Sequence, residues 1–280
     1  MHTEKIFIKN RNNLNIRVCI DAPILDETAS QKGLAFIMPG LGSQHKKSEF
    51  RALAEILTRL GYVAISFDPT HSFGESDGLY EDATFTNYAS DLEDVIEWAS
   101  KKPDGFKPDA TNTANTINVT YVEPFILVGH SLGAMSVVYY TERFPEKVKA
   151  LAPISTTVSG KLSIEARPAE EIEKWKNLGY QETVRSNGEV RRLKWSHMED
   201  RLTYDLLEKA EQIRVPLLML VGDLDPLTPP RHQQLLFDAV ATSAEDKEFH
   251  IIKNADHNIG TPETLSQVKE IFEKWLVKIS

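Results

Sequence analysis

The chain has 280 residues, 41% of them hydrophobic and 26% charged, an ordinary balance for a globular protein. A chain of that length buries roughly 75% of its unfolded surface, so it needs no staple to hold a core, and its single cysteine, Cys19, excludes an intramolecular disulfide. Lys plus Arg is 32 against 41 for Asp plus Glu, a net charge of −9 with no basic run, which argues against nucleic acid as a partner.

The opening "MHTEKIFIKNRNN" has no apolar stretch long enough for a signal peptide, and no segment approaches the length of a membrane span. The expectation is a cytoplasmic protein with no membrane partner. "KIFIKN" and "LNIRVCID" alternate around the polar "RNN" and predict an antiparallel hairpin. "GLAFIMPG" is a buried strand ending in Pro-Gly. Phe50, Leu53, Leu57 and Leu60 then recur at helical spacing, with Gly61 as the stop. "YVAISFD" predicts another buried strand, and "FTNYASDLEDVIEWA" another amphipathic helix.

Residues 101 to 124 are polar and rich in Thr, Asn and Pro, the composition of a surface loop. The sequon-like Asn118-Val119-Thr120 falls inside it and is read as a chance match. A strand over 125–128 follows, then a helix to about 143 and the strand "VKALAPIS". "VPLLMLVGD" and "EFHIIKNADH" are the last strands, and "PETLSQVKEIFEKWLVKIS" closes the chain as a helix. Alternating strands and helices predict an α/β protein, a mostly parallel central sheet flanked by helices.

Residues 159–212 break the alternation with a helix-like "PAEEIEKWKNLG", a hairpin "YQETVRSNGEVRRLKW" turning at Asn187-Gly188, and a helix "SHMEDRLTYDLLEKAEQ". They are expected to form an inserted lid on a core made of 1–158 and 213–280.

The chemistry concentrates in "FILVGHSLGAMSVVYY", where Gly129-His130-Ser131-Leu132-Gly133 separates an apolar strand from an apolar helix. Glycines two before and two after a serine let strand and helix backbones approach at a sharp turn whose apex hydroxyl is exposed. The plainer reading is a glycine turn whose serine caps the helix. A serine hydroxyl needs a base in hydrogen-bond reach, and the base needs an orienting acid. His257, in "NADHNIG", follows the last strand and so lies at the same carboxyl edge as Ser131, where ligands of α/β sheets bind. His130 is assigned to local packing or support. Asp225 in "VGDLDPLTPP" precedes a proline that fixes an extended backbone and is preferred as the acid; Asp223 is the alternative, suited to an Asx turn. The Leu132 N–H at the helix start and the Leu41 N–H in Pro39-Gly40-Leu41-Gly42 are the expected oxyanion donors.

"MPGLGS", "FDPTHSFGESDG", "GHSLG", "GDLDPLTP" and "NADH" together resemble the α/β-hydrolase superfamily from about Gly33 to the C-terminus. Within it the chain is most similar to capped serine esterases of the feruloyl (cinnamoyl) esterase and lysophospholipase-like group. The resemblance implies the α/β-hydrolase fold and cofactor-free hydrolysis of a small-molecule carboxylic ester. Ser131, Asp225 and His257 fall on its triad positions, and Leu41 and Leu132 on its oxyanion positions. Two motifs depart from the group: Pro39-Gly40 stands where many relatives have His-Gly, and "PTHSFGES" replaces a commoner Arg-Gly or Gly-His loop.

Serine at the elbow argues against dehalogenase or epoxide hydrolase chemistry, and no metal-ligand spacing is visible. Candidate pocket residues are His45, His71, Trp175, Tyr180, Trp195 and Tyr204; for the aromatic ones the competing reading is that they dock the lid on the core. Rival functions are a monoacylglycerol-type lipase or acyl thioesterase, and a non-catalytic binding protein on the same scaffold.

Overall fold

A computed structural model describes residues 1–24, 31–101, 120–184, 188 and 190–280. Most of the polar stretch 101–124, with Asn118 and Val119 of its sequon, and Asn187 lie outside the described residues.

Eight strands form one sheet, and the first two are the expected hairpin: β1 (His2–Lys9) pairs antiparallel with β2 (Asn15–Ala22). Next come β3 (Gly33–Met38), β4 (Tyr62–Asp68), β5 (Phe125–His130), β6 (Val148–Ile154), β9 (Leu217–Gly222) and β10 (Lys247–Ile252). The order across the sheet is β1-β2-β4-β3-β5-β6-β9-β10. From β4 onward every pairing is parallel, so all these strands end at one edge.

The pleat sorts the core. Ala35 and Ile37 of β3 face α1 (Ser48–Arg59) and α8 (Pro262–Lys278), where Phe50, Leu57, Phe272 and Trp275 are buried. Leu34, Phe36 and Met38 point the other way, toward α2 (Phe85–Ser100) and α3 (Leu132–Arg143). Strands buried on both faces read as continuous apolar runs, which is why "AFIM" and "FILV" carry no polar alternation. Thr84 caps α2 by accepting the Asn87 N–H, and Gly61 ends the first helix at φ +90°.

The segment between β6 and β9 holds α4 (Gly160–Glu165), α5 (Ala169–Leu178), the hairpin β7 (Tyr180–Val184) with β8 (Val190–Lys194), and α6 (Ser196–Arg201). The helix expected to run on to residue 212 stops at Arg201. Gly160 donates its N–H to the Tyr204 carbonyl and Ser159 bridges Asp205, so backbone pairing to the start of the segment displaces helix. Two 3-10 turns, Leu206–Glu208 and Ala210–Gln212, complete the segment.

The segment packs on the α2–α3 side, with Met198, Leu206 and Ile213 all inside the same core cluster. Each such side chain contributes roughly 1.5–3 kcal/mol on burial. The solvent-exposed pairs of Lys194 with Glu81 and Asp82 add little beside that, because water screens them.

Glu142, on α3, is a cost inside this frame. Burial pushes its carboxyl up to about 8, with Lys209 pulling down and Glu211, Asp205 and Glu208 pushing further up. The folded protein therefore keeps a proton that the unfolded chain gives up near pH 4.5, and stability falls as pH rises from there toward about 8. Glu142→Gln is expected to raise Tm by about 2–4 °C at pH 8 and not at pH 4.5, as read by calorimetry at the two pH values.

Candidate active site

The corner between β5 and α3 is built by close backbone approach. A Cβ on Gly133 would collide with the Met38 and Pro39 carbonyls, and one on Gly129 would lie 2.5 Å from the Gly133 oxygen. Only glycine fits either place. Between them Ser131 is held at φ 56°, ψ −116°, a strained backbone for a residue with a side chain. It is locked there on both sides: its N–H donates to the Ile154 carbonyl at 2.9 Å, and its carbonyl accepts from the Thr157 N–H at 3.3 Å.

Ser131 Oγ lies 2.8 Å from His257 Nε2, and His257 Nδ1 lies 2.8 Å from Asp225 Oδ2. With the ring proton on Nδ1, that nitrogen donates to Asp225, and Nε2 is left to accept from the serine hydroxyl. The three side chains come from the loops after β5, β9 and β10, all at the carboxyl edge. Asp225 is almost wholly buried and also accepts from the Leu227 and Thr228 N–H groups and the Thr228 hydroxyl. Burial pushes its carboxyl up, but the hydrogen bond and charge of His257 and the Thr228 donors outweigh this and hold it well below the usual carboxylate range.

Asp223 is engaged elsewhere. It accepts from the Ala255 N–H at 3.1 Å, while the Leu224 N–H donates to the Ala255 carbonyl at 3.0 Å, so it stitches together the two loops that carry Asp225 and His257.

His130 points away from the reacting side and supports it from behind. Its Nε2–H donates to the His257 carbonyl at 2.8 Å; burial, then the neighbouring His257, lowers it to about 3, so it stays neutral. Two supports had no signal in the sequence. The Thr228 hydroxyl bonds Asp225 Oδ2 at 2.7 Å and sits 3.3 Å from His257 Nδ1. The fully buried Tyr88 hydroxyl accepts the Gly42 N–H at 3.0 Å. A hydroxyl three residues after an aspartate, or a tyrosine inside an amphipathic helix, is too common a pattern to stand out.

The Leu132 N–H opens α3, where no helical carbonyl precedes it to accept the proton. Leu41 sits in a turn closed by the Ser43 N–H to the Gly40 carbonyl, and a Cβ on Gly40 would lie 2.9 Å from Ser131 Cβ. The turn is thus pressed against the serine corner, beside the start of α3.

The expected pocket residues mostly serve other purposes. His45 is buried and pairs with Asp68, whose Oδ1 takes both its N–H and its Nδ1–H, so it ties two loops together. His71 bonds the Leu79 carbonyl within its own loop. Trp175 donates its indole N–H to the Leu193 carbonyl and packs edge-on against Trp195, and all three residues lie in the core cluster on the α2–α3 side. Tyr204 bonds Thr86 and packs on Phe85 and Tyr139, and Tyr180 lies under Arg192 on the hairpin. Docking the segment uses up their apolar surface.

Comparisons agree with this architecture. Residues 120–193 match the family model described as alpha/beta hydrolase fold, and residues 190–262 the one described as serine aminopeptidase, S33. The mitochondrial palmitoyl-protein thioesterase ABHD10 of Bos taurus is 27% identical over 233 residues, 81% of this chain and 67% of that one. Est1E from Butyrivibrio proteoclasticus, solved with ferulic acid bound, superposes with a TM-score of 0.76 at 18% identity, covering 98% of both chains. A monoacylglycerol lipase of Paleococcus ferrophilus gives 0.71 at 20% identity over 95% of this chain and 99% of its own. The chain has the α/β-hydrolase fold. No helix among the described residues is long and apolar enough to cross a membrane.

Because Thr228 holds the carboxylate that orients His257, Thr228→Val should lower kcat about 10-fold on any substrate the site turns over, with KM little changed. Steady-state kinetics beside a thermal melt check this; equal kcat at unchanged Tm contradicts the positioning role.

Proposed function

We propose that this chain is a serine hydrolase that cleaves carboxylic esters through an acyl-enzyme. The observation that carries the reading is the continuous pair of 2.8 Å bonds from Ser131 Oγ through His257 to a buried Asp225. In this reading Ser131 attacks the ester carbonyl as Nε2 of His257 takes its proton. Asp225, ionised throughout, stabilises the imidazolium, which then protonates the departing alcohol. The Leu132 and Leu41 N–H groups hold the oxyanion, the former aided by the dipole of α3. Water repeats the sequence on the acyl-enzyme and frees the acid and the serine. No step needs a cofactor.

The substrate is read as a small to medium or aromatic, hydroxycinnamoyl-type ester, with the 159–212 segment as a lid forming one wall of the pocket. A thioester substrate is the second reading, favoured by the activity named for the ABHD10 relatives. Both use the same three side chains and differ only in the leaving group.

Ser131→Ala should abolish turnover of p-nitrophenyl butyrate, methyl ferulate and acyl-CoA alike. Asp225→Asn should lower kcat by about 10⁴-fold, as loss of the acid and of the right tautomer does elsewhere, and Asp223→Asn far less. The opposite ranking of the two aspartates sinks the assignment, and a preference for acyl-CoA over both oxyesters selects the thioester reading.

A further inference from the structure

The 159–212 segment holds cations it does not neutralise. Arg201, at the end of α6, is only 6% exposed, and its Nε has no partner among the described residues. Among the described residues its side-chain contact is the Met198 sulfur at 3.6 Å, a weak acceptor. Among the described residues no carboxylate lies within salt-bridge distance of either Arg201 or Arg167. Asp200, next in sequence, is taken by the Thr86 N–H and hydroxyl. A buried guanidinium is costly without a counter-charge, and a protein with 41 acidic residues has ample means to supply one. Arg201 remains cationic at neutral pH even so: burial, then the like charge of Arg167, lowers it to about 9.

The place matters as much as the charge. The like charge of Arg167 lowers Arg201, and Tyr80 acts electrostatically on both arginines. The Tyr80 ring stacks on Phe73 at 4.2 Å, and a Cβ on Gly42 would meet both rings at 2.8 Å. Gly42 follows Leu41 in the turn pressed against Ser131. From the other direction, a Cβ on Gly160 would sit 2.5 Å from the Arg201 carbonyl, and Gly160 lies three residues beyond Thr157, which binds the Ser131 carbonyl. The end of α6 is therefore tied to the serine corner through two separate loops.

We propose that Arg201 and Arg167 receive a carboxylate carried by the substrate, so that the ester cleaved at Ser131 bears a second, ionised carboxyl group. The inference rests on the esterase reading above. A guanidinium fork matches a carboxylate in plane, and one negative charge offsets the deeply buried Arg201, while the less buried Arg167 stays within reach of solvent. The same cations would disfavour a purely apolar acyl chain, because filling the space with hydrocarbon leaves them buried and unpaired.

The test uses two pairs of esters, each comparing a free carboxylate with its methyl ester. One is the p-nitrophenyl half-ester of adipic acid against its methyl diester; the other is 4-carboxyphenyl hexanoate against 4-methoxycarbonylphenyl hexanoate. Wild type should favour the ionised member of at least one pair by 10-fold or more in kcat/KM. Arg201→Met and Arg167→Gln should cut that preference below 3-fold while leaving the neutral member within 3-fold of wild type, and Arg201→Lys should recover part of it. Neutral members favoured in both pairs, or a preference that survives both variants, overturns the proposal. Arg167 is only partly buried, so its variant remains informative should Arg201→Met fail to fold. If no ester is turned over, the esterase reading has failed, and the anion site is read separately. Adipate should then raise the Tm of Ser131→Ala protein, an effect lost when Arg167→Gln is added; no stabilisation by adipate counts against the site.

Discussion

A serine does not rest at φ 56° of its own accord, and in this protein the surrounding backbone leaves it no other place. The Gly129 and Gly133 approaches set how near β5, α3 and the β3 loop can come, and the Ile154 and Thr157 bonds fix the residue between them. The strain costs on the order of 1–3 kcal/mol, which the fully buried strands on either side can sustain. In return the hydroxyl meets the His257 ring, α3 begins directly after it, and the β3 turn is pressed beside it. The geometry at the carboxyl edge follows from that corner.

The rest of the site is a problem of holding an imidazole still. His257 is gripped at Nδ1 by Asp225 and at its carbonyl by His130. Its loop is stitched to the Asp225 loop by Asp223 and pinned beyond the ring by Asp256, which accepts the Asn258 and Ile259 N–H groups. Each carboxylate in the sequence runs "GDLD" and "NADH" has a separate task, and only one of them touches the ring. The 159–212 segment is attached by apolar burial and by bonds from His197, Asp200 and Tyr204 to residues 83–86. Trp175, Trp195 and Tyr204 are spent on packing, which leaves the buried Arg201 as the segment's unusual feature.

How much of this was legible beforehand depended on whether a feature was local. The parallel sheet, the elbow and the order Ser131, Asp225, His257 follow from apolar runs and turn chemistry contained within short stretches. The end of α6 was not, because the backbone after Arg201 pairs with Ser159 and Gly160, some forty residues earlier in the chain. His45 and His71 read as pocket residues because loop histidines near a sheet edge resemble ligands; only the fold shows that Nδ1 of each is already engaged, by Asp68 and by the Leu79 carbonyl. Thr228 and Tyr88 had no distinguishing pattern, since a hydroxyl gains its role from what lies opposite it. Arg201 was passed over for the same reason: the lack of a partner is visible only once the neighbours are in place.

The central claim is that the Ser131 oxygen becomes covalently acylated during turnover. Quenching the enzyme in acid within milliseconds of mixing with excess p-nitrophenyl butyrate, then mapping the mass increase by peptide mass spectrometry, addresses it directly. The account predicts an initial burst of nitrophenolate and an added butyryl group on the peptide containing Ser131. Turnover with no adduct, or with the added mass on a peptide lacking that serine, would contradict it.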